Sequence, residues 1–330
     1  MIINDLETLR KYLGRAINAS TTLAFIEPYI QLAQDEFILP ALGVEMLAEL
    51  EEQAASPNTL TESNAVLLPL VQRALAFYTY QKYLPYSIGS DGDKGMQEQG
   101  TDSTKPVRMG VLDMRRRETA ENAANALERV LLQLHRNPDD YPTWTGSDAY
   151  REARSLFLHS ASELTLFLPQ VGGSYRLFTS LRAYLAGAER DILTVVGQAQ
   201  FDRLKAVLVG DETGDAPTAA LLRYVKNAVA RVAYAKALYF LNVVQTPGGA
   251  LRILSDFDGI YNQKAVSSAD LEAAQRRSDN EAAGALNSLK EFLDDNAAQY
   301  PLYSDSPAAS APAPQQFPDN SKYKGIFRMR

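Results

Sequence analysis

"AVLLPLVQRALAFYTYQKYL" (residues 65–84) and "AALLRYVKNAVARVAYAKAL" (residues 219–238) read as one helix written twice. Laid over each other without a gap, 154 positions apart, they share nine residues in twenty: Ala65/Ala219, Leu67/Leu221, Leu68/Leu222, Val71/Val225, Ala74/Ala228, Ala76/Ala230, Tyr80/Tyr234, Lys82/Lys236 and Leu84/Leu238. Two unrelated helices of this composition share roughly one or two. The repeated apolar positions fall on one side at helical spacing. Small Ala74 and Ala76 predict a close approach of a neighbouring helix.

The same offset holds upstream, where Ile38, Leu39, Gly43 and Leu50 match Ile192, Leu193, Gly197 and Leu204. Polar linkers of equal length, 51–64 and 205–218, follow in both copies. Downstream the offset becomes 159. There Arg117, Ala123, Ala124, Ala126, Leu127, Leu134, Asn137, Tyr141 and Pro142 match Arg276, Ala282, Ala283, Ala285, Leu286, Leu293, Asn296, Tyr300 and Pro301. The chain is therefore a two-fold duplication, 1–145 and 146–303, with a tail at 304–330. A period this long exceeds that of solenoid repeats, so each copy is expected to be a complete domain.

Within one copy, Asn4 is the expected N-cap of a first helix, with Glu7 as its capping partner. A second helix runs from about Thr22 and stops at Gly43, in the left-handed conformation that ends helices. "VEMLAELEEQAA" (44–55) is a short helix and about 111–136 a long closing one. Segment 85–110 is too rich in Gly, Ser, Asp and Pro for helix. In the second copy, the alternation of Leu251, Ile253 and Leu254 between glycine-rich turns allows a short β-hairpin. Each Tyr-Pro pair should end a long helix. The expected fold is all-α: two four-to-five-helix domains, each with a protruding loop or hairpin, and an extended Pro/Ala-rich arm.

Composition narrows the function. The 330 residues are 46% hydrophobic and 22% charged, enough for ordinary cores. A net charge of −7 argues against a broad nucleic-acid or membrane-binding face. There is no cysteine, which excludes thiol chemistry. No apolar run reaches the ~18–20 residues of a membrane span. His135 and His159 lack a partner at ligand spacing and read as ordinary core or surface side chains. "DGDKG" (91–95) reads as a turn rather than a calcium loop. Arg115, Arg116 and Arg117 read as a solvated helix face. No phosphate-binding glycine loop or nucleophile elbow occurs. No cofactor, metal or catalytic residue is expected.

The tail cannot bury enough surface to fold alone, yet it ends in "KYKGIFRMR" (322–330). Tyr323, Ile326, Phe327 and Arg328 are the expected partner-binding residues of an arm that docks on a neighbour.

These segments together, from "FIEPYIQLAQDEFILPALGVEMLAEL" (25–50) to "HRNPDDYPTW" (135–144), resemble an uncharacterised helical family of phages and prophages of Bacteroidota. The motifs carrying the likeness are Ile38 to Leu50 with Gly43, and Asn137 with Tyr141–Pro142; the second copy repeats them. The order of segments is also similar to tailed-phage head–tail connector (adaptor) proteins. That resemblance implies a virion structural protein, assembled in the host bacterial cytoplasm, that forms a ring of identical subunits. Its partners would be neighbouring portal or tail proteins, with DNA passing transiently through an acidic channel and no membrane. Loops 85–110 and 239–266 would reach along the ring axis. The rival expectation is an enzyme or small-ligand-binding protein with its site between the two copies.

Overall fold

The computed structural model describes residues 1–18, 20–87, 89–92, 95–98, 109–240, 243–245, 251–253 and 267–309. The chain is all-α and duplicated, and the described residues add one small antiparallel hairpin in each half. Repeat 1 comprises α1 (Leu6–Leu13), α2 (Leu23–Ala33), α3 (Leu39–Leu42), α4 (Val44–Ala55), α5 (Glu62–Tyr83), β1 (Gly89–Gly92), β2 (Gly95–Glu98), α6 (Met109–Arg136), α7 (Pro142–Thr145) and α8 (Asp148–Ala153). Repeat 2 comprises α9 (Ala161–Phe167), α10 (Tyr175–Val196), α11 (Gln198–Val209), α12 (Ala216–Leu238), β3 (Val243–Gln245), β4 (Leu251–Ile253), α13 (Ser268–Asp295) and α14 (Pro301–Ser304). Gly89 pairs with Glu98 in one hairpin and Val243 with Ile253 in the other.

The opening pair of sequences forms α5 and α12, the central helices of two separate cores. Leu67, Val71, Ala74 and Ala76 are fully buried in the first core, and Leu221, Val225, Ala228 and Ala230 in the second. Small side chains let α6 pack along α5, and α13 along α12. Thr61 and Asp215, 154 positions apart, cap the two helices by accepting from the backbone N–H three residues on. Tyr141 and Tyr300 lie deep in their cores. Each donates its hydroxyl to a carbonyl just before or within the first turn of the central helix, Ser63 at 3.0 Å and Pro217 at 2.8 Å.

A second register lies upstream. From the first residues to position 34 the copies match at an offset of 155. Leu9 and Leu164, Ile26 and Leu181, Ile30 and Leu185, and Ala33 and Ala188 are all fully buried pairs. One π-helical turn, Gln34–Ile38, between α2 and α3 absorbs the extra residue. Beyond it Ile38 and Ile192, then Leu42 and Val196, are buried at offset 154. Repeat 2 makes the same passage in the unbroken α10.

Several expectations are corrected. Asp5, not Asn4, caps α1: the helix starts at Leu6, and the Asp5 carboxylate accepts from the Thr8 N–H at 2.7 Å. Gly43 and Gly197 do end their helices at positive φ. Their ψ values of 164° and 152° place them in the extended, glycine-only region rather than the left-handed helical one. The Tyr-Pro pairs do not end the long helices, which stop at Arg136 and Asp295. Pro142 and Pro301 instead start α7 and α14, where a missing N–H is harmless.

The repeats are also longer than their sequence boundaries. Ser147 lies against Gly43, where an added Cβ would come within 3.1 Å of the serine Cβ. Ser306 lies against Gly197, at 2.8 Å on the same measure. Residues 146–153 thus close repeat 1 and 304–309 close repeat 2, with Ala308 and Ala309 packed on the second core. The chain crosses between the cores near Ser155. Leu156, Phe157 and Leu158 are already part of the second one. The arm residues Tyr323, Ile326, Phe327 and Arg328, and most of loops 85–110 and 239–266, lie outside the described residues.

Candidate functional site at the repeat seam and the hairpin feet

Helix α6 carries two apolar stripes. One, with Ala123, Ala126, Val130 and Leu134, faces its own core and has buried counterparts on α13. The second, with Ala124, Leu127, Glu128 and Leu131, is buried in repeat 1 alone. Its counterparts Ala283, Asn287 and Lys290 are exposed and Leu286 is half-buried. The difference is repeat 2, whose α10 packs against α6. Glu128 accepts from the Ser162 N–H at 2.9 Å and from its hydroxyl at 3.1 Å, tying the start of α9 to α6.

His135 and His159 also meet at this seam, with ring centroids 4.9 Å apart. The sequence places them 24 residues apart, on opposite sides of the repeat boundary, and gives no sign of the contact. His135 packs edge-on against Trp144. Burial holds its pKa down to about 3, helped by His159 and Arg154. His159 is also pushed down, mainly by burial and further by Lys226 and Arg154, against the pull of Glu163 at 3.2 Å. Lys226 forms an ion pair with that same Glu163. At neutral pH this is a pair of uncharged rings. A base with a pKa near 3 is ill matched to proton abstraction there.

Further along α6 a groove of about 360 Å³ opens between the repeats, lined among others by Phe37, Tyr78, Gln81, Tyr175, Arg176 and Thr179. Burial raises the pKa of both tyrosine hydroxyls, which therefore stay protonated.

A further buried polar triad repeats with altered charge. Gln34 accepts from the Ile2 N–H at 3.4 Å and donates to Glu51 at 3.0 Å. In repeat 2, Glu189 accepts from the Phe157 N–H at 2.5 Å, and Lys205 pairs with it at 2.6 Å. Burial raises the Glu189 pKa and lowers that of Lys205, each against its partner's pull. The triad holds the entering segment of each repeat against its core.

At the C-terminal end of each central helix, below the hairpin, an aromatic pair faces solvent. Tyr29 and Tyr86 have ring centroids 5.4 Å apart in repeat 1. Tyr184 and Phe240 lie 6.2 Å apart and stacked in repeat 2. Tyr86 and Phe240 are each 61% exposed. Phe25, 54% exposed, and Tyr83 extend the first patch. The matching offsets, 155 for Tyr29/Tyr184 and 154 for Tyr86/Phe240, were readable in the sequence once two registers are allowed. Among the described residues no group of three acidic or histidine side chains could hold a metal ion, and no helix is long and apolar enough to cross a membrane.

Two buried cores, a seam and a twice-written solvent-facing aromatic pair define an internally duplicated all-α protein. The chain belongs to a family of unknown function, DUF6712, which matches it twice, over residues 38–154 and 192–313. Both matches begin at the isoleucine where the shared offset of 154 sets in, and both run past the Tyr-Pro pair to the closing segment. No curated protein and no solved structure matches the chain.

Proposed function

We propose that this protein is a structural component that acts by assembly: a head–tail connector (adaptor) ring subunit of a phage virion, with no enzymatic activity. The observation that supports it is the solvent-facing aromatic pair written at the same place in both repeats, Tyr29–Tyr86 and Tyr184–Phe240. Exposed aromatic clusters of this kind are unfavourable in water and are typical anchors of protein interfaces. Two equivalent anchors per chain suit a partner surface that is itself repeated, as in a ring. On this reading, neighbouring portal or tail proteins cover the hairpin feet. The Tyr323, Ile326, Phe327 and Arg328 arm locks onto an adjacent subunit, and the net negative charge lets DNA slide past.

The test is the mass of the native particle by light scattering for the wild type and for Tyr86→Ser with Phe240→Ser. The wild type is expected to form a discrete oligomer or to bind a ring-forming partner. The double variant should lose that association while its helical circular dichroism is unchanged. A wild type that stays monomeric at every concentration, alone and with candidate partners, overturns the reading.

The seam groove supports a second reading, a small-ligand site, because the Gln81 side-chain amide oxygen is buried there without a hydrogen-bond partner among the described residues. Ligand-induced thermal stabilisation abolished by Tyr175→Ala would favour it.

A further inference from the structure

The two repeats join head to tail. The stripe of α6 in repeat 1 is covered by the start of α9 and the N-terminal part of α10 in repeat 2, so unlike faces meet. Among the described residues, each chain therefore keeps one uncovered copy of each face. The free stripe is Ala283, Leu286, Asn287 and Lys290 on α13. It is the counterpart of Ala124, Leu127, Glu128 and Leu131, on a helix of the same 28-residue length. The free edge is the start of α1 and α2 in repeat 1. Asp5 and Glu7 occupy the places of Ser160 and Ser162, and Ala24 and Glu27 those of Thr179 and Arg182. The edge is less covered than its twin: Ser160 and Ala161 are buried, whereas Asp5 is exposed and Leu6 half-buried.

We propose that a second copy of this chain docks its α1/α2 edge on the α13 stripe, repeating between chains the contact that joins the repeats within one. The charges fit, since the stripe carries Lys290 and the edge carries Asp5, Glu7 and Glu27. Within the chain, Glu128 on α6 holds Ser162 at the second position of α9. Between chains, Asn287 then faces Glu7 at the second position of α1. The contact is continuous with an interface already formed, and its unlike faces propagate it into a ring or a filament.

The inference rests on the proposed assembly role and names its contact. The chain has no cysteine, so introduced thiols react only where they are placed. The full-length chain carrying Glu7→Cys and Asn287→Cys is oxidised and run on a non-reducing gel. A ladder of covalent multimers is expected. The chain carrying Glu7→Cys with Glu291→Cys, off the stripe, should give no such ladder. The pair Glu128→Cys with Ser162→Cys should close within one chain and serves as the geometric control. Lys290→Glu should also lower the assembled fraction at least tenfold at a fixed concentration, and Glu7→Lys with Lys290→Glu should recover part of it. A wild type that assembles while the Glu7/Asn287 pair gives no ladder overturns this contact and leaves the assembly role standing. A wild type that never self-associates removes the contact and shifts the assembly role onto other proteins. A ladder that persists in the chain truncated after Ala309 excludes the C-terminal arm as the occupant of the stripe. A full-length chain that gives no ladder and gains one on truncation after Ala309 assigns the stripe to the arm and overturns the contact.

Discussion

At the scale of single residues, the duplication works as an internal mutagenesis experiment. The Gln34–Glu51 and Glu189–Lys205 arrangements solve one problem, anchoring a buried N–H, with different charges. Lys205→Glu alone would set two carboxylates together, and adding Glu189→Gln restores the Gln–Glu pair of repeat 1, without the Met1 ammonium that also holds Glu51 there. The double variant is expected to be more stable than the single by about 2 kcal/mol or more in urea unfolding, since an unpaired buried charge is what it removes. Equal stabilities would show that the two triads are not equivalent. His135 makes a second residue-level claim. Its folded pKa, about 3, lies below its ordinary 6.5, so folding favours the neutral ring. The unfolded chain therefore binds the extra proton between those values. The His135 contribution is complete above pH 6.5 and is lost as pH falls toward 3, by roughly 1.4 kcal/mol per unit at most. The thermal midpoint should fall from pH 7 to pH 4.5 in the wild type and fall less in His135→Phe. A variant with the same acid sensitivity would place the titrating group elsewhere. Neither feature was legible in the sequence. Gln34 and Glu189 share no identity, and the histidine contact depends on how two domains sit together.

At the scale of elements, identity revealed what the backbone geometry holds fixed. Gly43 and Gly197 recur because only glycine adopts their backbone angles, and the Tyr-Pro pairs recur because tyrosine and proline do different jobs there. The stretch before residue 34 stayed hidden for a physical reason. Core positions demand only an apolar side chain of suitable size, so isoleucine and leucine exchange freely and leave few identities. The one-residue shift at Gln34–Ile38 then broke the remaining match. That π turn makes a sharp prediction. Deleting exposed Asp35 should convert it to the uninterrupted helix seen in α10, at a loss within about 2 kcal/mol, on the scale of an ordinary point substitution. Deleting one residue from the middle of α5 should unfold repeat 1, because half the helix would turn its apolar face outward. Circular dichroism melts of the two deletions decide it, and similar losses would refute the role of the turn.

At the scale of the whole molecule, the all-α fold and its duplication were readable from three segments with related offsets. The seam was not, because Ala124 and Leu127 have identical twins in Ala283 and Leu286 whose surroundings differ only through the second repeat. The limits of the repeats also needed the structure: a serine resting on a glycine leaves no signal in composition. Truncation tests this directly. A chain ending at Ala309 is expected to keep its full helical signal and melting temperature within about 2 °C. A chain ending at Tyr303 exposes the Gly197 turn and should melt several degrees lower, as about 1 kcal/mol does in a domain of this size. Equal melting of both would mean that the closing segment is decoration. The same closure governs the order of events during synthesis. Repeat 1 is latched by Ser147 and, apart from Tyr175 packed at its edge, draws its core from residues before Ala153, so it can fold on the ribosome while repeat 2 is still being translated. Its α6 stripe then waits, uncovered, for the second half to emerge. The nascent chain thus offers that stripe to any neighbour on the same messenger before its own partner exists.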